Sequence, residues 1–286
     1  MFSLKIENSK GSIIELTNNE DEFQVTKIEG LNPPNATINT SSYANGDGSS
    51  FTSSKIPNRE IVITIYINGD PETNRQKLYK YFRSKEWCKI YYKNNSRNVY
   101  IEGYVQALEV SPFTQKQVAQ ISILCPNPYF KDVETIIKSI SKAIAGFTFP
   151  FSINIDEPVE FSSLQLEKIT TIINESESET GLIIDVGFMG TVNKLEVRNV
   201  NTGENFIIDY KFIKNDKLVI NCNRGNKSVI LTRNAIEYNL IPYVESGSTF
   251  FQLGIGDNNF SYLADEGLND MLVDIYFKYY KVYLGV

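Results

Sequence analysis

The 286-residue chain contains no histidine. Histidine is the commonest general acid–base and metal-ligating side chain, so Ser–His and Cys–His catalysis are excluded within this chain. Cysteine is scarce and odd in number: Cys88, Cys125 and Cys222, with no CxxC or CxH spacing, argue against a disulfide framework or a zinc site. Tryptophan occurs once, at Trp87. The longest apolar-rich run, AIAGFTFPF at 143–151, falls well short of the roughly 20 residues of a membrane helix. Lys5 and Glu7 interrupt what would be the apolar core of a secretory signal, so none is expected. A basic excess is missing as well. Residues 1–130 hold 14 Lys/Arg against 13 Asp/Glu, and residues 131–286 hold 14 against 21, which does not suit a specific nucleic-acid binder.

What the chain has in plenty is tyrosine and phenylalanine, 17 of each, and short alternating segments, a profile that suits sheets. SLKIEN (3–8) and FQVTKIEG (23–30) alternate. REIVITIYINGD (59–70) is the clearest strand, with Ile61, Ile63, Ile65 and Ile67 on one face. Asp70-Pro71 then reads as a helix N-cap followed by proline at the first helical position. Leu78, Tyr81 and Phe82 supply the apolar stripe of a helix over 71–85. Residues 87–111 read as strands around a hairpin at Lys93–Arg97. The strand AQISILC ends on Cys125-Pro126-Asn127-Pro128-Tyr129-Phe130, where two prolines remove two backbone donors. We read this stop as the end of a first domain, with Tyr129 and Phe130 pinning the exit to the last strand.

Residues 30–58, rich in Gly, Ser, Asn, Pro and Thr, read as a long loop or extended arm, of a length more common in binding or assembly elements than in filler. Beyond Phe130, Val133, Ile136, Ile137, Ile140 and Ile144 fall at near-helical spacing, which predicts a linker over 131–146 with helical character. From about 147 the chain is strand and turn at roughly 8–12-residue spacing, as in a β-sandwich or jelly roll. Some motifs favour plain readings. The basic-aromatic stretch 78–97 reads as helix and hairpin rather than a nucleic-acid stacking surface. Glu175, Glu177 and Glu179 read as an acidic loop rather than a calcium site, and GIGDNN (254–259) as an inter-strand turn rather than a phosphate loop.

In order, the chain offers Gly30-Leu31-Asn32-Pro33-Pro34, Asn45-Gly46-Asp47-Gly48, and Arg59-Glu60-Ile61-Val62-Ile63 leading into a helix with Arg75, Leu78, Tyr79, Tyr81 and Phe82. Tyr100-Ile101-Glu102-Gly103-Tyr104, Phe113, Gln117, Gln120 and Cys125–Phe130 follow. Over about 130 residues this series resembles the distal tail proteins of siphovirus-type bacteriophages and related prophages. The second half is similar more loosely, through Phe149-Pro150-Phe151 and the Gly285-Val286 end.

The resemblance implies a mainly β fold: an N-terminal β-barrel-like domain with one helix and an extended hairpin (1–130), then a C-terminal galectin-like β-sandwich (147–286). It implies a structural virion protein at the tail tip or baseplate, made and assembled in the bacterial host cytoplasm, with no enzymatic role, cofactor or metal. It further implies a homo-hexameric ring that joins the tail-tube protein to the tail-tip spike or tail-associated lysin protein, and an outer domain on which a receptor-binding protein docks. A membrane partner is not implied. Candidate assembly residues are Asn45, Gly46, Asp47, Gly48 and Phe51 in the arm and Asn94 and Asn95 in the 93–97 hairpin. Two other readings stand beside it: a carbohydrate-binding module that recognises host cell-wall glycan through the C-terminal sandwich, and glycan hydrolysis by a carboxylate pair. The absence of tryptophan from the second half favours a scaffold over a lectin.

Overall fold

The computed structural model describes residues 2–16, 22–111, 114, 116–140, 169–265 and 273–286. The chain forms two compact units, Met1–Glu134 with Lys281–Val286, and Thr135–Tyr280. The second part of the predicted linker, the Phe149-Pro150-Phe151 run, Phe113 and the expected start of the second domain at 147 lie outside the described residues.

In the first unit the strands are β1 (Ser3–Asn8), β2 (Ile13–Leu16), β3 (Phe23–Glu29), β4 (Thr37–Ser42), β5 (Ser49–Lys55) and β6 (Arg59–Ile67). Helix α1 (Pro71–Tyr81) precedes β7 (Trp87–Lys93), β8 (Asn98–Ser111), β9 (Gln117–Cys125) and β10 (Phe130–Ile140), which runs on into the second unit. An antiparallel sheet takes the order β3-β6-β9-β8-β7-β1-β2. Strands β2 and β3 end it, so the barrel-like curl is open. Its centre is the β6–β9 pair, in which Ile61 faces Ile123, Ile63 faces Ile121 and Ile65 faces Ala119. All six are buried, and each isoleucine contributes about 1.5–3 kcal/mol by leaving water. The helix starts as its sequence dictates. Asp70 caps it by accepting from Glu72 N and Thr73 Oγ1, Pro71 occupies the first turn, and Leu78 and Phe82 are buried.

Strand β9 ends at Cys125, at the double-proline stop, and the leading segment of the first unit runs just past it to Glu134; the stop is also a loop between two strands. Leu124 pairs with Tyr104 of β8, and Lys131 pairs with Tyr100 of the same strand. Seven residues of one chain segment therefore span four of the other. Strands β9 and β10 follow one another along β8, and Pro126–Tyr129 loops out between them. Pro126 and Pro128 have no N–H to give the ladder, which is why the excess residues leave the sheet here. The helical reading of 131–144 is corrected over its described part: residues 130–140 are strand. Val133 and Ile137 are exposed while Phe130 and Ile140 are buried, so the apolar residues do not form the continuous stripe a helix needs.

The second unit contains β11 (Thr170–Asn174), β12 (Thr180–Phe188), β13 (Val192–Asn199), β14 (Asn205–Phe212), β15 (Lys217–Asn221), β16 (Ser228–Arg233), β17 (Ile236–Asn239), β18 (Gln252–Leu253), β19 (Gly256–Asp265) and β20 (Val273–Tyr283). The order β17-β16-β15-β12-β20 makes one antiparallel sheet, with β18 also on β12, and β11-β19-β13-β14 makes the other. Leu182, Ile184, Val186 and Phe188 of β12 share one buried core with Leu195, Val197, Phe206, Ile208 and Phe260 of the opposite sheet. Two sheets closing on one apolar layer are the β-sandwich that the strand spacing predicts. Of GIGDNN, expected as a turn throughout, only Gly254-Ile255 turn; Gly256–Asn259 open β19, and the Asn258 side chain ties the turn by bonding Gly254 N, Gly254 O and Gly256 O.

Candidate assembly surface

Strands β4 and β5 pair with each other from Thr37–Lys55 to Ser42–Ser49 and, among the described residues, with no other strand. Every residue in them is exposed, Ile38 and Phe51 included. The segment read as a loop or extended arm is thus an arm: a hairpin of Ser and Thr side chains that water can solvate, with a Thr-Ile-Asn-Thr run favouring extended backbone. Asn45, Gly46, Asp47 and Gly48 form its tip, and Gly48 takes φ +91°, a left-handed geometry open to glycine. Phe51 stands on β5 opposite Thr40, with two-thirds of its surface in water. Asn94 and Asn95 sit apart from these five, in the turn between β7 and β8. There the Asn94 carboxamide oxygen accepts from Ser96 N and Arg97 N at 2.9 and 2.8 Å.

A lone two-stranded hairpin is marginal in water, so its placement depends on what holds its base. The base is Gly30–Pro33, and it is held by Arg59, the first residue of β6. Arg59 is buried, 4% exposed. Its guanidinium donates to Gly30 O, to Asn32 O at 2.8 Å, to Pro128 O at 2.6 Å through Nε, and to Leu284 O. The ring of Phe130 lies 4.7 Å beneath it. Among the described residues no carboxylate pairs with it. Burial lowers its pKa, its Coulombic interaction with Cys125 offsets only part of that, and an arginine stays charged all the same. One buried cation therefore gathers the arm's base, the proline loop and the C-terminal residues through backbone oxygens alone.

The C-terminal residues complete this cluster. Val286 N donates to Leu31 O at 3.0 Å. A Cβ on Gly285 would stand 2.8 Å from Pro33 Cδ and 2.9 Å from Pro33 N, so only glycine fits against the arm's base. Arg97 donates to Gly285 O and lies 4.3 Å from the Tyr283 ring centre, and Tyr283 donates to Asp132 at 3.0 Å. The turn that carries Asn94 and Asn95 and the base of the arm are thus both fastened to residues 283–286. In the sequence Arg59 and Gly285 stand out only as marks of resemblance. Their roles depend on carbonyls distant in the chain, and no local pattern encodes those.

The thiols of Cys88, Cys125 and Cys222 are pushed up to about 12 by burial, which keeps them protonated and inert near neutrality. Of the acidic trio, Glu179 pairs with Arg224 at 2.5 Å. The open ends β2 and β3 flank a groove of about 450 Å³ lined by Ile13, Ile14, Phe23, Tyr81 and the Glu22–Lys77 ion pair. These arrangements hold strands and present edges.

Two domain families match the chain in sequence. "Phage tail protein RIFT-related domain" matches residues 9–125, and "Siphovirus-type tail component, C-terminal domain" matches residues 175–280. No curated protein matches. Among solved structures, the crystal structure of SPP1 Dit, described as a paradigm of hub adsorption apparatus in Gram-positive infecting phages, is 12% identical with a TM-score of 0.70. The alignment covers 98% of each chain. A chain of the phage P2 baseplate in its activated conformation with calcium is 11% identical at TM-score 0.58, and one from the strontium form 12% at 0.59, each again over 98% of both chains. With both halves of the chain matched in sequence and the whole of it in fold, the protein belongs to the distal tail protein family of siphovirus-type phages, structural components of the tail and its baseplate hub.

Proposed function

We propose that this chain closes with five copies of itself into a ring that joins the tail tube to the tail tip, and that the β4–β5 arm makes the contacts between neighbouring copies. The observation that carries this reading is a fully exposed hairpin whose base is locked by a buried cation. An arm solvated along its whole length has little to fold for on its own. Both its edges carry unpaired N–H and C=O groups, which suit strand addition to a neighbouring subunit. Head-to-tail contacts of that kind use two different surfaces and close when the rotation is right. The turn at Asn94-Asn95, fixed to the same C-terminal residues as the arm's base, supplies a second contact. The outer β-sandwich is the docking platform for receptor-binding proteins, and the tail-tube and tail-tip spike proteins meet the two faces of the ring.

Light scattering across a concentration series tests the reading. Six times 32.5 kDa, 195 kDa, is the expected discrete species. A monomer at every concentration contradicts self-closure.

A further inference from the structure

The chain contains the dipeptide Asn-Gly twice, at Asn45-Gly46 and Asn68-Gly69, and the structure treats the two differently. Asn45 and Gly46 lie at the exposed tip of the arm. Among the described residues, neither the Asn45 side chain nor Gly46 N finds a hydrogen-bond partner. A Cβ placed on Gly46 would find only Tyr43 Cβ, 4.0 Å away, so the Cα side of this residue is open. Asn68 is half-buried. Its N–H donates to Glu22 O at 3.0 Å and its carbonyl accepts from Asn74 Nδ2 at 2.8 Å, while Gly69 is set at φ +75° just before the capped start of α1.

We infer that Asn45 is a site of spontaneous deamidation, through which the free subunit gains a second carboxylate beside Asp47 at the arm tip. Asparagine followed by glycine is chemically labile because the next backbone nitrogen lies within reach of the side-chain carbonyl carbon and no Cβ shields it. Gly46 N gives its proton to hydroxide and attacks Asn45 Cγ. The new N–Cγ bond closes a five-membered succinimide, and the Cγ–Nδ2 bond breaks with loss of ammonia. Water then opens the ring at either carbonyl. One opening leaves aspartate, and the other leaves isoaspartate with the main chain routed through the side chain. Water is the sole co-reactant. The reaction needs a backbone free to bring nitrogen and carbon together, which the arm tip offers and the bonded turn at Asn68 does not. The inference concerns the unassembled subunit and is independent of how the arm is used.

Peptide mapping by mass spectrometry during incubation of the full-length protein at mildly alkaline pH tests it. The expected result is a gain of about one dalton on the peptide holding Asn45, as a mixture of aspartate and isoaspartate. It should accumulate roughly tenfold or more faster than any change at Asn68, and faster as hydroxide rises. Gly46→Ala, for which the structure has room, slows it by a similar factor. The inference is overturned by equal rates at Asn45 and Asn68, by a Gly46→Ala protein that ages like the parent, or by aspartate formed without isoaspartate.

Discussion

Arg59 in the first unit and Arg233 in the second both lie over aromatic rings, Phe130 at 4.7 Å and Tyr210 at 5.6 Å, and they are neutralised in opposite ways. Arg233 forms a bidentate pair with buried Asp216, at 2.8 and 2.6 Å, and donates to Lys211 O, so its partners lie 17 and 22 residues away. It ties β16 to the residue that precedes β15 and to β14 of the other sheet of one sandwich. Arg59 has only carbonyl partners among the described residues, and these lie 27 to 225 residues away. A carboxylate supplies charge and fixes one neighbour. A set of carbonyls supplies less charge but lets one side chain join several segments far apart in the chain. The fold uses the first device to stiffen the sandwich and the second to fix the root of an arm that cannot place itself.

Breaking each device separates the two. Arg59→Leu leaves the Gly30, Asn32, Pro128 and Leu284 carbonyls without their donor and should cost more in chemical denaturation than the roughly 1.5–3 kcal/mol of a single hydrogen bond to a charged group. Arg59→Lys recovers only part of that, because an ammonium lacks the planar fork that reaches four oxygens. Asp216→Asn removes the charge from the bidentate pair and should cost about 1.5–3 kcal/mol near neutrality.

The two devices also differ in pH response. Burial raises the Asp216 pKa, but the hydrogen bond from Arg233, the backbone N–H of Ile213 and the Arg233 charge outweigh it, and the net value lies below the ordinary 3.8. A carboxylate with a depressed folded pKa contributes stability that is complete above the unfolded value and lost as pH falls through the folded one. Acid titration of the unfolding free energy should therefore show a loss below pH 3.8 that Asp216→Asn removes and Arg59→Leu leaves in place.

Smaller effects sharpen the comparison. Gly285→Val, forced against Pro33, should cost about 1–3 kcal/mol and loosen the arm's base while the sandwich stays intact. Phe51→Ser, on the solvated arm, should change monomer stability by less than about 0.5 kcal/mol. It should nevertheless weaken the ring, which native mass at limiting concentration would register.

The sequence makes some of this architecture legible and hides the rest for identifiable reasons. Strand β6 and helix α1 declare themselves because their burial is local: alternating isoleucines on one sheet face, and a cap followed by proline. The arm shows only as composition, since strands exposed on both faces have no apolar alternation to read. Strand β10 looks helical because Val133, Ile136, Ile137 and Ile140 happen to fall three and four apart, and pairing along β8 overrides that spacing. The proline loop reads as a stop, but whether a chain stops or bulges depends on a partner strand some 30 residues away. The Arg59 cluster is the least legible, because any residue's backbone can provide a carbonyl.

The proposed ring requires an arm that adds to assembly and not to the fold. Deleting residues 40–54 and measuring native mass and unfolding midpoint on the same preparation tests it directly. The expected outcome is that the 195 kDa species of the intact chain is replaced by a monomer of the shortened chain with an unchanged midpoint. A ring that persists without the arm, or a monomer that unfolds once the arm is gone, would contradict it.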